Sequence, residues 1–219
     1  NMILKKRGVS IFANARVDKL EQNDNGLVCH FNQKGNEKTV EAEAILVAIG
    51  RSANLNTLLG DGIHIKTDKG ILVNEYYQTN LPDIYAIGDV VHGSIQLAHV
   101  ASAQGCNAVA HMTGAEDMVN LNVIPSCIYT DPERATVGIT ADQAKKDGIP
   151  VKTGKFSMGA NGKSVIESQE RGFIKVIFDE ESEVLLGAQL MCARATDLIS
   201  ELTTEIANKL TVQQLSSVI

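Results

Sequence analysis

The 219-residue sequence contains no tryptophan, and its aromatic residues amount to 4%. Surfaces that stack nucleic-acid bases are built on such rings, so their scarcity argues against that class. A positive surplus is missing too. The 26 acidic and 20 basic residues leave a net charge of −6, which offers little to nucleic acid or to an anionic membrane. The longest strongly apolar run, Ala44 to Ile49, is far shorter than the roughly 20 residues that span a bilayer. No secretory leader is visible at the start. These absences predict a soluble, cytoplasmic protein that binds neither nucleic acid nor membrane.

Two chemical signatures are also missing. The four cysteines stand at 29, 106, 127 and 192, none in a C-x-x-C or similarly close spacing. That excludes a zinc knuckle or a vicinal redox pair and predicts four reduced, mostly buried thiols with no metal site. Nor is there a G-x-G-x-x-G. Gly60 and Gly62 form the one G-x-G, in a loop without the third glycine, so no phosphate-binding fingerprint is written here.

What is present reads as a globular chain, with 44% hydrophobic and 21% charged residues and room for one large domain or two ordinary ones. "NMILKKRG" (1–8) reads as the end of a helix stopped by Gly8, with cations where the helix dipole favours them. Strands are expected at 9–12, 15–23, 26–32 and 38–42, joined by Asn-Asp-Asn-Gly and Lys-Gly-Asn turns with hairpin chemistry. The continuous apolar runs "AILVAIG" (44–50) and "DIYAIGDV" (83–90) predict strands covered on both faces, as in a parallel sheet. Two short strands are expected between them, near His64 and at 71–75. The Ala-rich segment 97–114 predicts a helix capped by Gly114, with close packing at Gly105.

From Ile124 the texture changes. Two strands flank an Asp-Pro turn, and a short helix over 140–148 carries Thr140 as N-cap and Gln143 as the closing member of a capping box. A strand, an acidic turn and a second strand fill 171–192. The helix over 196–210 has Leu198, Ile199, Leu202, Ile206 and Leu210 on one stripe, and Thr211 is placed to cap a further helix. Neither end carries a start or stop signal, so the sequence reads as cut at both.

The stretch Thr79 to Asp89, "TNLPDIYAIGD", lies between "AILVAIGRSAN" (44–54) and "LAH" (97–99). Downstream follow "IPSCIYTDPERATVGITADQAK" (124–145), "ANGKS" (160–164) and "DLISE" (197–201). This ensemble resembles the flavin-dependent pyridine-nucleotide disulfide oxidoreductases over the whole length, and "YTDPE" and "DLISE" lean toward their dihydrolipoamide dehydrogenase branch. Glutathione- and mercuric-reductase-like enzymes, or a stand-alone dimerisation module without catalysis, are the alternatives.

The resemblance implies part of a nucleotide-binding α/β domain followed by an antiparallel sheet with helices. The divisions are 1–50 as half of an NAD domain, 51–121 as an FAD-contacting segment and 122–219 as a dimerisation domain. It implies FAD contacts at Gly88, Asp89, Gln96, Leu97, Ala98 and His99. In that family the carboxylate at Asp89 holds the ribityl side, and the helix starting at Ala98 points its N–H groups at the flavin. NAD contacts are implied at Val17, Ala48, Ile49, Gly50 and Arg51. No catalytic residue is implied within these 219 positions. The redox cysteine pair and the His-Pro segment that carries the base are not among them, and His111 with Glu116, which share that base's spacing, read as a solvated helix end. The implied partners are a second copy, through 122–219, and the lipoyl-bearing protein of a 2-oxoacid, acetoin or glycine-cleavage complex. The stripe on helix 196–210 and the Leu185/Leu186 region are the candidates for the surface shared between copies. The chain by itself is expected to be inactive, with residues 1–50 the least ordered.

Overall fold

The computed structural model describes residues 2–24, 26–60, 62–116, 119–169 and 171–218. Asn25 of the expected Asn-Asp-Asn-Gly turn, Asp61 of the Gly60/Gly62 pair and the terminal Ile219 fall outside them. The chain divides into two compact units, Asn1–Arg51 and Ser52–Ile219.

In the first unit a short helix α1 (Met2–Lys6) precedes three strands, β1 (Ala15–Asn23), β2 (Gly26–Gln33) and β3 (Asn36–Ala42). They form an antiparallel meander in the order β1-β2-β3. Alternating side chains and Gly-containing turns make each strand pair with its sequence neighbour, the lowest-entropy pairing open to it. The register slips once, between Val17 and Lys19, leaving Asp18 as a bulge residue. Burial is thin. Among the described residues of this unit, Phe31 is the one buried hydrophobic side chain, packed on Phe12 with ring centroids 4.9 Å apart.

Two expectations fail in this unit. Residues 9–12 form no strand, and neither does the apolar run 44–50. Leu46 and Ile49 are 91% and 93% exposed. Apolar character alone does not make a strand. The backbone needs a ladder, and among the described residues no strand pairs with 44–50.

The second unit begins with an irregular stretch tied together by isolated bridges. The expected buried strand at 83–90 is replaced by a tight loop. The Thr79 N–H donates to the Ile84 carbonyl and the Ala86 N–H to the Tyr77 carbonyl, both at 2.9 Å. The backbone groups find partners locally, so no parallel ladder is needed. The strand candidates near His64 and at 71–75 likewise reduce to bridges, the main one joining Ile71 to Thr67 and Val91.

Helix α2 (Ala98–Thr113) follows and ends on Gly114 in the left-handed conformation, as its sequence predicts. Next come β4 (Ser126–Ile128), β5 (Glu133–Gly138), α3 (Ala141–Asp147), β6 (Val151–Ser157), α4 (Gly162–Ile166), β7 (Phe173–Asp179), β8 (Leu185–Cys192), α5 (Ala195–Ala207) and α6 (Val212–Ser216). The five strands make one antiparallel sheet in the order β4-β5-β8-β7-β6. The fold is therefore a mixture of helices and antiparallel sheets. Strand β6 and helix α4 carry no clear periodicity and were not expected from the sequence.

The core lies where α5 crosses β5 and β8. Val137, Leu185, Ala188, Leu190, Cys192, Ile199 and Leu202 pack there, with Ile206 and Leu215 at its margin. Leu198 is 41% exposed, off the buried stripe. Thr140 caps α3 by accepting the Gln143 N–H, but the expected capping box does not close. The Gln143 side chain reaches forward to Asp147 at 2.6 Å instead. A complete box forms at α6, between Thr211 and Gln214.

Candidate functional site

Gly88 is buried and has φ +74°, a conformation that disfavours any residue with a Cβ. A Cβ there would come within 3.1 Å of the Ala101 methyl on α2. Gly88 opens a single 3-10 turn, Gly88–Val90, which presents Asp89 at the surface. Two sets of bonds fix this turn. On one side the Ile71 N–H donates to the Val90 carbonyl at 2.7 Å and the His92 N–H to the Ile71 carbonyl at 2.9 Å. On the other, the Gly88 N–H donates to Oε1 of the buried Gln104 at 2.6 Å, while Gln104 Nε2 donates to Ser94 Oγ at 2.9 Å. Gly105 lies one residue further along α2, and a Cβ on it would meet Ile87 at 3.2 Å. That is the close packing expected at this glycine.

The N-terminus of α2 lies on the same turn-and-helix assembly. Its N-cap, Leu97, has extended backbone and no side chain able to cap. The first-turn N–H groups, beginning at Ala98, have no acceptor inside the helix, and the helix dipole makes this end favourable for negative charge. Gln96 and Leu97 are half-buried, Ala98 and His99 exposed. The His99 ring is tied through Nε2 to the Pro125 carbonyl at 3.0 Å. Five of the six residues expected to contact FAD thus cluster at one turn or one helix end, with Gln96 just before it. Gln104, which ties that turn to the helix, carries no motif and was not foreseen. Two amides on an Ala-rich helix, Gln104 and Asn107, were the only signal for it.

The residues expected to contact NAD are not assembled in this way. Val17 is 56% exposed at the β1 bulge, and Ala48, Ile49, Gly50 and Arg51 lie exposed in the irregular segment after β3. A Cβ placed on Gly50 would meet nothing within 4 Å, so the space beside this backbone is open. A hollow of about 290 Å³ does open in this unit, but it lies across the bulge between Asp18, His30, Phe31 and Lys38.

Other expectations need correction. His111 is exposed, but its ring stacks on Tyr76, with centroids 4.0 Å apart and planes at 7°. It is an anchored helix end, not a merely solvated one. Of the cysteines, Cys192 is buried, Cys29 and Cys127 are intermediate and Cys106 is exposed; all four are free. Burial first, and the Glu133 charge second, push both the Cys127 and the Cys192 thiol up from the ordinary value. Leu185, a candidate for a surface shared with a second copy, is only 1% exposed and belongs to this chain's own core.

The 124–219 region has polar features that the sequence did not announce. Glu133 Oε2 accepts from the Thr196 N–H at 2.9 Å and from its hydroxyl at 2.7 Å, which fixes the start of α5 to β5. Glu205 is 8% exposed, and its Oε2 is buried without a hydrogen-bond partner. Burial, helped by the charge of Glu201, holds its carboxyl above the ordinary value. Among the described residues no group of three or more His, Cys, Asp or Glu side chains could hold a metal ion, and no helix is long and apolar enough to cross a membrane.

Comparison with known proteins gives two family matches. Residues 1–105 match the pyridine nucleotide-disulphide oxidoreductase model, and residues 124–219 match the dimerisation domain of pyridine nucleotide-disulphide oxidoreductases. A dihydrolipoyl dehydrogenase of Bacillus subtilis is 37% identical over 219 residues, covering 99% of this chain and 46% of its own length. The dihydrolipoyl dehydrogenase of Geobacillus stearothermophilus is 36% identical over 215 residues, covering 97% of this chain and 46% of its own length. Among solved structures, LpdA from Mycobacterium tuberculosis superposes with a TM-score of 0.87 at 25% identity, covering all of this chain and 47% of LpdA. The HOCl-induced flavoprotein disulfide reductase RclA of Escherichia coli shares the fold, with a TM-score of 0.85 at 23% identity, covering all of this chain and 50% of RclA. The chain spans about half the length of the curated relatives it matches.

Proposed function

The chain belongs to the pyridine nucleotide-disulphide oxidoreductases, and from that premise we propose that it forms the C-terminal portion of a dihydrolipoyl dehydrogenase. That family uses FAD and NAD(H). The reaction of the whole enzyme would be oxidation of a dihydrolipoyl dithiol to the disulfide with reduction of NAD⁺ to NADH. FAD, when bound, supplies the passage of the electron pair between the two. The role of this chain is to seat one side of the flavin and to pair with a second copy through 122–219. Its location would be the cytoplasm, and its partner the lipoyl-bearing protein of a 2-oxoacid, acetoin or glycine-cleavage complex.

The observation that carries this reading is the Gly88–Asp89 turn seated against α2. A carboxylate at the surface of a fixed turn suits the hydroxyls of a ribityl chain, because bonds to an ionised acceptor are about twice as strong as neutral ones. The uncapped start of α2 suits an acceptor that carries negative charge. The residues present therefore fit the flavin end of FAD. For NAD, Val17 and Ala48 to Arg51 lie exposed and are not drawn together by the chain's own bonds, and no step is assigned to them.

Dihydrolipoamide-dependent formation of NADH tests the reading. The gene product in its natural length should form NADH, and the 219-residue chain alone should not. Turnover by the chain alone would refute the assignment of the reacting groups to residues outside it. A natural-length product that binds FAD and leaves dihydrolipoamide untouched, but reduces another disulfide, such as that of oxidised glutathione, to two thiols with oxidation of a reduced nicotinamide cofactor, would move the assignment to a different branch of the family.

A further inference from the structure

Gln104 is 6% exposed, and both ends of its amide are used. Its Oε1 accepts from the Gly88 N–H at 2.6 Å, and its Nε2 donates to Ser94 Oγ at 2.9 Å. A glutamine presents an acceptor and a donor on a single planar, neutral group. Here the acceptor reaches the residue before Asp89 and the donor reaches the far end of the same loop. Two contacts complete the seat. Ala101 lies beneath Gly88, where a Cβ would approach to 3.1 Å, and Gly105 leaves space for Ile87. One face of α2 thus holds the segment 87–94 at three positions, 101, 104 and 105.

We propose that Gln104 is the positioning residue of the flavin site. It fixes the 88–94 loop to α2, so that the Asp89 carboxylate and the N–H groups at the start of the helix hold a set separation. The inference rests on the proposed function and adds to it a residue that touches no cofactor. The physical cause is a buried N–H with a single acceptor. Gly88 at φ +74° belongs to a backbone region that glycine enters and leaves at little cost. Without an acceptor for its N–H, the turn would relax until water reached that group, and Asp89 would move with it. An alanine-rich helix has no other side chain at this height to replace the amide, since 98, 101, 103 and 108 are all alanine.

The test uses the gene product in its natural length with the variants Gln104→Leu, Gln104→Glu and Ser94→Ala. FAD dissociation constants are read from flavin fluorescence, and melting midpoints are read on the flavin-free protein. Removing the acceptor in Gln104→Leu should weaken FAD binding about tenfold, the equivalent of one lost hydrogen bond. Gln104→Glu keeps an acceptor for Gly88 and can take a bond from the Ser94 hydroxyl, so it should stay within about threefold of wild type. Ser94→Ala, which leaves the Gly88 bond in place, should fall between the two. A residue that only stabilises the fold would lower the melting midpoint without this ranking of FAD affinities.

The Gly88 amide proton of the 219-residue chain provides a readout that needs no flavin. It should exchange slowly in wild type and in Gln104→Glu, and its resonance should shift in Ser94→Ala less than in any variant that removes the acceptor. If Gln104→Leu does not fold, Gln104→Glu and Ser94→Ala decide the matter: fast exchange of the Gly88 amide in wild type, or weaker FAD binding in Gln104→Glu than in Ser94→Ala, overturns the role of Gln104. Wild-type affinity in Gln104→Leu, or a loss in Gln104→Glu as large as in Gln104→Leu, overturns the role of Gln104 and leaves the family assignment standing. A natural-length wild type that takes up no FAD overturns the proposed function and this inference together.

Discussion

The meander of β1 to β3 and the sheet of β4 to β8 are both antiparallel and both contain tight hairpins, yet they differ in what their strands bury. In the larger sheet, β8 reads buried or half-buried at every position, and α5 covers it with Ile199 and Leu202. In the meander, β1 keeps Val17 and Leu20 at 56% and 47% exposure, and Leu46 and Ile49 of the apolar segment after β3 stand almost fully in solvent. Local pairing makes a sheet, but a second layer makes a core. The lesson is that hairpin chemistry and stability are separable within one chain.

The sharpest way to break this contrast is in the larger sheet. Ile199→Ala should cost about 2–5 kcal/mol, because a buried aliphatic leaves both lost transfer energy and a cavity. Leu20→Ala on the exposed face of β1 should stay within about 0.5 kcal/mol. Urea unfolding followed by circular dichroism measures both, and equal costs would erase the distinction. Next in size comes Gly88→Ala, expected to cost about 1–2 kcal/mol for a side chain forced into the left-handed region, beside the close approach to Ala101.

A third prediction concerns pH. Burial raises the Glu205 carboxyl above its ordinary value of 4.5, so the folded state keeps a proton that the unfolded state has released. Stability should therefore fall as pH rises from the ordinary glutamate range up to the raised folded value, and level off beyond it. Glu205→Gln should flatten that slope and unfold at higher urea near neutral pH. A wild-type curve that rises across the same window would contradict the sign.

The meander offers the opposite case. Glu21 is held below its ordinary value by hydrogen bonds from Lys19 and His30 and by the Lys19 charge. Its contribution is present above the ordinary range and lost as pH falls through the lowered value. In such an exposed site it should be small and screened by salt, so Glu21→Gln should leave the melting midpoint unchanged within error.

How much of this was legible in the sequence follows the same division. The hairpins over 15–42 and 171–192 were readable because alternation and turn residues are local signals. So were the caps at Gly114 and Thr140. The runs 44–50 and 83–90 misled because a continuous apolar pattern states only that a segment prefers cover. Whether a ladder exists depends on distant backbone, and at 83–90 the partners proved to be Tyr77 and Thr79. Of the candidate site, Gly88, Asp89 and the start of α2 were named only through the family resemblance, and the structure shows that they lie on one turn-and-helix assembly. Gln104 was not legible, because a buried amide shows its worth only once the N–H it accepts from has been brought against it.

Amide hydrogen exchange along the 219-residue chain tests the central contrast most directly. Slow exchange in β5, β7, β8 and α5, with amides of 44–51 exchanging near the rate of an unstructured peptide, is the expected result. Protection of 44–51 equal to that of β8 would mean that the apolar run has found cover within this chain, and the account of two unequal units would fail.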